Sequence, residues 1–277
     1  SDLIINAPFD PFSLQLDGTD DVINTSLNVT SGSKSISFWF NSSYAGYQSI
    51  LGDATDGFVL GHFTSHLPTP NGISYTDQDT GKKFGITAST TDEFADGNWH
   101  NFIYTYDGNS KIYIDATERT ISYRSGTTSS DDIVIIDNLG LGLNLTGYPP
   151  FSGKLSNVSI YNSALTSAQV QTLYNEAKPF DLNTFAVTPV SWWRLGSVNS
   201  SFDGTNWTIL DEISTSGNNG TSANMTQADL VDGVGATGNG VSSGMSSGTN
   251  RSDAPYSSNN AVSYNMSVTA KSTSVPT

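Results

Sequence analysis

The sequence contains no cysteine, few charged residues and no long apolar run, and each absence excludes a class of protein. Without cysteine there is no disulfide, no zinc–thiolate site and no thiol nucleophile. Charged residues make up 13% of the chain, and 26 acidic against 11 basic side chains give a formal net charge of −15. A surface of this sign repels nucleic-acid phosphates and anionic lipids, so neither is expected as a partner. No stretch approaches the ~18 apolar residues of a membrane span, so we expect no membrane insertion.

The residues that are present are arranged for β-strands. Hydrophobic residues make up 36% of the chain and aromatic residues 11%, in short blocks separated by turn-forming Gly, Ser, Thr and Asn. In Ser35–Phe40, alternation places Ile36, Phe38 and Phe40 on one face and Trp39 on the other. The pattern predicts an all-β fold, an antiparallel β-sandwich.

The segment from Trp99 to Tyr106 is apolar or aromatic on both faces. Trp99 and Ile103 share one face with Thr105, and the other face carries aromatic side chains only. A strand that is apolar on both sides belongs in the middle of a covered sheet or under a ligand. We therefore expect this strand to lie at the centre of one sheet.

One short helix is predicted over residues 166–176. Thr166 is a good N-cap, and Gln169 three residues later completes a capping box. Leu165 and Val170 occupy the hydrophobic-staple positions on either side of the cap. The apolar stripe of this helix consists of Val170, Leu173 and Tyr174.

Two segments together resemble a known family. They are Phe151-Ser-Gly-Lys-Leu-Ser-Asn-Val-Ser-Ile-Tyr161, which leads into the capped helix, and Asp96-Gly-Asn-Trp-His-Asn-Phe-Ile-Tyr-Thr-Tyr-Asp-Gly108. This arrangement resembles the concanavalin A-like, laminin-G-type jelly roll, which implies an antiparallel β-sandwich (jelly roll) with one short helix. The resemblance covers residues 12–178. Fold alone does not imply function.

The resemblance also bears on catalysis, because some relatives with this fold are glycoside hydrolases. The retaining glucanases among them place Glu-x-Asp-x-x-Glu on one strand. The only glutamates here are Glu93, Glu118, Glu176 and Glu212, and none of them lies within that spacing of another. The glucanase motif is therefore absent, and without cysteine there is no thiol nucleophile, so we expect no enzymatic activity.

The segment after the helix raises a question of domain organisation. Val190-Ser-Trp-Trp-Arg-Leu195 resembles the opening strand of a laminin-G-like domain, which normally stands before the other strands. Either a truncated second domain starts there, or residues 190–225 return to complete the first sandwich. We favour the second alternative, because a half-sandwich would expose an apolar edge. The predicted domains are a sandwich over residues 1–231 and a tail over 232–277.

The predicted tail begins with a flexible linker and ends in an extended segment. Residues 232–260 are rich in Gly, Ser and Asn. The strand-like Ala261–Val268 that follows offers Tyr264 and Met266 for burial. Such a segment either adds a strand to a neighbouring subunit, or it is a frayed or locally docked terminus.

The chain contains a laminin-G-like unit, then a Trp-Trp-Arg strand, then a Ser/Asn-rich tail. In this arrangement it is similar to structural proteins of marine phages. This resemblance implies a virion structural protein at the virion surface, either a capsid decoration or a fibre or adhesin component. Its partners would be other copies of itself, capsid or tail proteins, and cell-surface glycans. The alternative is a secreted bacterial carbohydrate-binding or self-assembling surface protein. We expect no signal peptide, because Ser1–Asn6 contains no basic region and no long apolar core.

Two sets of candidate binding residues can be proposed. Tyr75, Tyr104 and Tyr106 are candidate platforms for sugar rings, with burial in the sandwich core as the alternative. Calcium prefers oxygen ligands, and candidate pairs are Asp53 with Asp56 and Asp77 with Asp79. The adjacent pairs Asp20-Asp21 and Asp131-Asp132 are interpreted as turn caps, and His100 as a structural strand residue.

Overall fold

The computed structural model describes one compact unit within residues 9–235. The structure describes residue 10 and residues 12–53, 58–63 (backbone only), 72–77, 81–90, 93–124, 126–134, 138–143, 149–197, 199–213 and 217–234. The described ranges contain no helix with the length and apolar character needed to cross a membrane.

Eighteen strands and one α-helix form this unit, with two 3-10 turns at Leu182–Thr184 and Gln227–Asp229. The helix α1 is Ser167–Tyr174. The strands are β1 (Phe12–Asp17), β2 (Val22–Asn24), β3 (Lys34–Asn41), β4 (Gln48–Asp53), β5 (Phe58–Phe63), β6 (Gly72–Asp77), β7 (Lys83–Thr87), β8 (Trp99–Tyr106), β9 (Ser110–Ile114), β10 (Thr117–Arg119), β11 (Ile121–Tyr123), β12 (Leu139–Leu141), β13 (Ser152–Tyr161), β14 (Ser191–Trp193), β15 (Ser200–Phe202), β16 (Trp207–Ile209), β17 (Gly220–Ala223) and β18 (Leu230–Asp232).

The strands form two antiparallel sheets. Sheet A has eight strands in the order β10-β9-β8-β3-β13-β1-β18, with β14 paired to β13. Sheet B has ten strands in the order β11-β7-β6-β5-β4-β12-β2-β17-β16-β15. The predicted antiparallel β-sandwich with one short helix is thereby confirmed.

The core lies between the inward faces of the two sheets. Ile36, Phe38 and Phe40 all point into it, as the alternation predicts. The Phe38 ring stacks on Phe102 of the neighbouring strand, with 4.9 Å between ring centroids. Trp39 points the other way and stacks on Tyr174 of the helix at 5.8 Å. Sheet A therefore has an inner face against sheet B and an outer face on which the helix packs.

The helix begins where the capping box predicts. Thr166 Oγ1 accepts the N–H of Gln169 at 3.3 Å, and Gln169 Oε1 accepts the N–H of Thr166 at 2.8 Å. Asn175 ends the helix in the left-handed conformation at φ +46°. Buried Val170 and Leu173 join a second cluster on the outer face of sheet A. This cluster covers Ile103, so β8 is buried on both faces as expected.

Residues 190–234 contribute strands to both sheets. Trp193 in β14 pairs with Val158 in β13, Thr221 in β17 pairs with Asn24 in β2, and β18 pairs with β1. Trp193 Nε1 also donates to the carbonyl of Asn218 at 2.8 Å. The boundary at residue 231 stays a prediction. The tail with Tyr264 and Met266 lies outside the described residues.

Candidate functional site

Two of the three tyrosines predicted to contact glycans lie in the core. Tyr75 is 2% exposed and Tyr104 is 0% exposed, and both belong to the cluster between the sheets. The Tyr104 hydroxyl lies 2.9 Å from Ser110 Oγ and accepts the N–H of Ile133 at 3.3 Å. Burial raises the pKa of both phenols. This placement corresponds to the core alternative, and neither ring offers a face to a sugar.

Tyr106 stands at the end of β8 and is half-buried. Its hydroxyl donates to the carbonyl of Ser130 at 2.7 Å, and Lys34 Nζ lies 5.8 Å from its ring centroid. Burial comes first among the causes that raise its pKa, followed by the charges of Asp132 and Asp131. A glycan contact at Tyr106 stays a prediction.

The predicted calcium pairs fall partly outside the described residues. Asp53 is buried at the end of β4, whereas Asp77 is half-buried and its Oδ2 accepts the Tyr75 hydroxyl at 3.4 Å. Their proposed partners, Asp56 and Asp79, are not among the described residues. Calcium at these two pairs stays a prediction.

The structure gathers three other carboxyl groups in the turn between β1 and β2. One oxygen each of Asp17, Asp20 and Asp21 lies within 4.8 Å of the others, and Asp21 is buried. Asp17 Oδ1 accepts the N–H of Thr19 at 2.7 Å, and Asp21 Oδ2 accepts the N–H of Asp17 at 3.0 Å. The second bond agrees with the interpretation of Asp21 as a turn-capping residue, whereas the other capping carboxylate belongs to Asp17 and not to Asp20. As a donor set for calcium, the one oxygen that each of the three carboxylates brings to this cluster supplies half or fewer of the six to eight oxygens that calcium takes.

Burial, together with charge repulsion within this turn, perturbs the carboxyl group of Asp21. Burial raises the pKa of its carboxyl to about 6 against the hydrogen bond from Asp17, and the charges of Asp17, Asp229 and Asp20 add to the rise. By contrast, the pKa of Asp17 is lowered, because the N–H groups of Thr19 and Asp20 outweigh its desolvation. The turn therefore holds one carboxyl that resists ionisation.

His100 joins two loops at one end of β8. Its Nδ1 lies 2.8 Å from Asp115 Oδ2, and its Nε2 lies 3.3 Å from Asp96 Oδ1. Burial lowers the pKa of His100, but the two carboxylates outweigh burial and hold it above its usual value. A neutral imidazole has one N–H, so it can donate to only one of them. Hydrogen bonds at both ring nitrogens fit the imidazolium form of His100. These two bonds also hold the backbone on either side of Trp99.

An open area of the outer face of sheet A lies next to the hydrogen bonds that His100 makes with Asp96 and Asp115. Trp99 in β8 pairs with Asn41 in β3, Asn41 with Lys154 in β13, and Lys154 with Gln15 in β1. Each alternates with residues of the core, so all four side chains point outward. Gln15 is exposed and the other three are half-buried. We call Trp99, Asn41, Lys154 and Gln15 the outer patch.

The outer patch lies one row beyond the part of the sheet that the helix covers. Trp39, two residues before Asn41 on the same face, is covered by Tyr174 at the end of the helix. Asn41 Nδ2 donates to the carbonyl of Gly97 at 2.6 Å, which fixes its amide. Within the described part of the chain, Trp99 Nε1, Lys154 Nζ and the Gln15 amide form no hydrogen bond. A row of one indole, two amides and one ammonium on the outer face is thus partly accessible to a ligand.

The described residues also form a small, partly open cavity between helix and sheet. It is lined by Ser37, Asn157 and Ser159, among others, and has room for about one water molecule. A sugar would not fit.

Comparison with known proteins identifies the superfamily. A family model described as "Concanavalin A-like lectin/glucanases superfamily" matches residues 16–171, more than half of the chain. The laminin-G-type resemblance is thereby confirmed. No curated protein matches. The similarity to marine phage proteins stays a prediction.

Several solved structures have a similar fold. A candidate carbohydrate-binding protein from Bacteroides ovatus ATCC 8483 has a TM-score of 0.56 and 17% identity, and the alignment covers 82% of this chain and 61% of that one. Domain 4 of a Geobacillus stearothermophilus extracellular arabinanase, solved with arabinotriose, has a TM-score of 0.44 and 18% identity, covering 58% and 75%. A pentraxin of Limulus polyphemus has a TM-score of 0.44 and 14% identity, covering 59% and 82%. At 17% identity, the likeness to the Bacteroides ovatus protein is one of fold.

Proposed function

The chain belongs to the concanavalin A-like lectin/glucanases superfamily, and we propose that it is a non-catalytic glycan-binding protein. The observation that carries this proposal is the outer patch, where an indole stands in one row with two amides and an ammonium. Rings such as indole pack on the C–H faces of sugars, and amides bond to their hydroxyls. The solved relative from Bacteroides ovatus, which is described as a candidate carbohydrate-binding protein, supports the same ligand class.

The absence of catalysis is proposed from the sequence, which lacks the Glu-x-Asp-x-x-Glu motif, and from the surroundings of four carboxyl groups. Glu93 is paired with Arg119 at 2.6 Å, and Glu212 with Arg194 at 3.3 Å. Asp96 and Asp115 both bond to His100. A glycosidase needs one carboxyl that protonates the leaving group and another facing it across the bond. Carboxylates held in ion pairs are poor candidates for the first role.

Replacing Trp99 by alanine should weaken glycan binding about thirty-fold or more. A buried aromatic anchor of a binding site contributes at least about 2 kcal/mol, which corresponds to a loss of roughly thirty-fold in affinity. We would identify ligands on a glycan array and measure their affinity by titration calorimetry. Tyr44→Ala is the matched control, because Tyr44 is an exposed aromatic residue (48%) outside the patch. Equal binding by Trp99→Ala and the natural protein would rule out the patch as the site.

We place this glycan-binding protein at the virion surface, as a capsid decoration or as a fibre or adhesin component. The proposal rests on the resemblance of the sequence to phage structural proteins, and an acidic surface favours solubility at high local density. The alternative location is the extracellular space or cell surface, for a secreted bacterial protein. Mass spectrometry of purified virions distinguishes the two, since only a virion component co-purifies in stoichiometric amounts.

Deleting all residues after Gly240 should leave a folded protein that fails to assemble. We propose that residues 255–270 dock on another subunit or on a virion scaffold by edge-strand pairing, for which the ~29-residue linker has a reach of ~30 Å. Analytical ultracentrifugation would measure assembly and circular dichroism would measure folding. Normal assembly of the truncated protein, or its unfolding, would contradict the docking of the tail.

A further inference from the structure

The charge environment of Lys154 indicates the class of glycan. In this acidic chain, several cations have a carboxylate partner: Lys34 pairs with Asp132 at 2.8 Å and Lys82 with Asp131 at 2.6 Å. Arg119 and Arg194 pair with glutamates. Lys154, although half-buried, forms no ion pair or hydrogen bond through Nζ with any described residue. The ammonium at the centre of the outer patch is therefore available to a ligand.

The neighbours of Lys154 do not neutralise it. Asn41 and Gln15, its partners across the two adjacent strands, are neutral. The nearest acid by register is Asp17, diagonal to Lys154 on β1, and its carboxylate accepts the N–H groups of Thr19 and Asp20. An ammonium between two amides can donate to an anion that the same amides help to hold.

We infer that the outer patch binds a saccharide that carries a carboxylate or a sulfate ester. The sugar ring lies on Trp99 and Asn41, and its anionic group is held by Lys154. Two strand spacings of ~4.8 Å separate the backbones of Trp99 and Lys154, a span that one substituted sugar covers together with the long lysine side chain. This inference rests on the proposed glycan-binding function and adds the charge of the ligand to it.

The net charge of −15 opposes an acidic ligand only at long range. At physiological salt, the repulsion between exposed charges is screened beyond ~8 Å. The contact with Lys154 is made at hydrogen-bond distance, where screening is weak. The close contact therefore decides affinity, and the net charge slows the encounter.

The test compares glycans that differ only in charge. Oligogalacturonides are titrated beside their methyl esters, and sulfated galactan oligosaccharides beside their desulfated forms, by calorimetry at 0.15 M salt. For at least one pair, we expect the charged form to bind about ten-fold or more tightly, the effect of one charge-assisted hydrogen bond. The Lys154→Gln variant should bind the charged form no more tightly than its neutral partner. Its affinity for the neutral form should stay unchanged.

Lys83→Gln is the matched control, because Lys83 is also a half-buried lysine but lies on the outer face of sheet B. It should retain the preference for the charged form. Equal affinity for charged and neutral glycans would overturn the inference and leave the proposed function standing. A preference that survives in Lys154→Gln would also overturn it. Failure of every glycan to bind the natural protein would refute both proposals.

Discussion

Replacing Trp193 by alanine is expected to lower the free energy of unfolding of the whole sandwich by about 3–5 kcal/mol. Trp193 is 0% exposed and belongs to the cluster between the sheets. The substitution removes the indole from this core, and it also leaves the carbonyl of Asn218 without its hydrogen bond from Nε1. A loss of this size is a large fraction of the stability of a typical domain.

The same substitution tests whether residues 190–225 complete the sandwich. If they do, chemical denaturation of Trp193→Ala shows one transition, shifted to lower denaturant concentration. If they form a domain of their own, one of two transitions moves and the other stays. Leu210→Ala is the control, because Leu210 lies just after β16 and is 42% exposed. That change should alter the stability by less than about 1 kcal/mol.

Features that depend on neighbouring residues could be predicted from the sequence. The helix follows from Thr166 and Gln169, three positions apart, and the structure contains both hydrogen bonds of the capping box. The alternation of Phe38, Trp39 and Phe40 gives the two faces of β3 without any knowledge of its partners. Both patterns are local, so the physical causes are visible in one segment.

The outer patch could not be predicted, because its members meet only through strand pairing. Gln15, Asn41, Trp99 and Lys154 come from four separate segments, and their row depends on the register of three strand pairs. A shift of one residue in any pair would send a side chain to the opposite face. The one signal in the sequence is a polar residue in β1, β3 and β13 at a position that alternates with core residues.

The tyrosine candidates show a related limit. Alternation separates Tyr104 from Ile103 but does not say which of the two faces meets the other sheet. In the structure the face of β8 that carries Tyr104 is the one against sheet B. The aromatic residues of this face therefore pack in the core. Trp99, on the opposite face, is the aromatic side chain of β8 that remains accessible at its end of the strand.

Replacing Asp21 by asparagine is expected to stabilise the protein at pH 7 by up to about 3 kcal/mol. In the folded protein, burial comes first among the causes that raise the pKa of Asp21, to about 6 from an ordinary value of 3.8. Ionising this carboxyl at neutral pH therefore costs more in the folded state than in the unfolded state. Asparagine retains an oxygen that can accept the N–H of Asp17 but carries no charge.

The sign of the pH dependence follows from the proton balance. Between about pH 4 and 6 the folded protein holds a proton on Asp21 that the unfolded chain has lost. The contribution of Asp21 to the free energy of unfolding therefore falls as the pH rises through this window. Above about pH 6 Asp21 is ionised in both the folded and the unfolded protein, and the full free-energy cost of ionising it in the folded state remains. The difference between Asp21→Asn and the natural protein should therefore be largest at pH 7 and vanish near pH 4.

Denaturation with urea at a series of pH values measures this difference, in the presence of EDTA so that no divalent cation neutralises the carboxylates of the turn. Asp107→Asn is the control for net charge, because Asp107 is exposed in the turn between β8 and β9 and its loss changes the charge of the chain by the same amount. A stabilisation by Asp21→Asn that is equal at pH 4 and pH 7 would show that repulsion across the whole surface or local packing is responsible. A stabilisation confined to high pH assigns the cost to the one buried carboxyl that lies against Asp17 and Asp20.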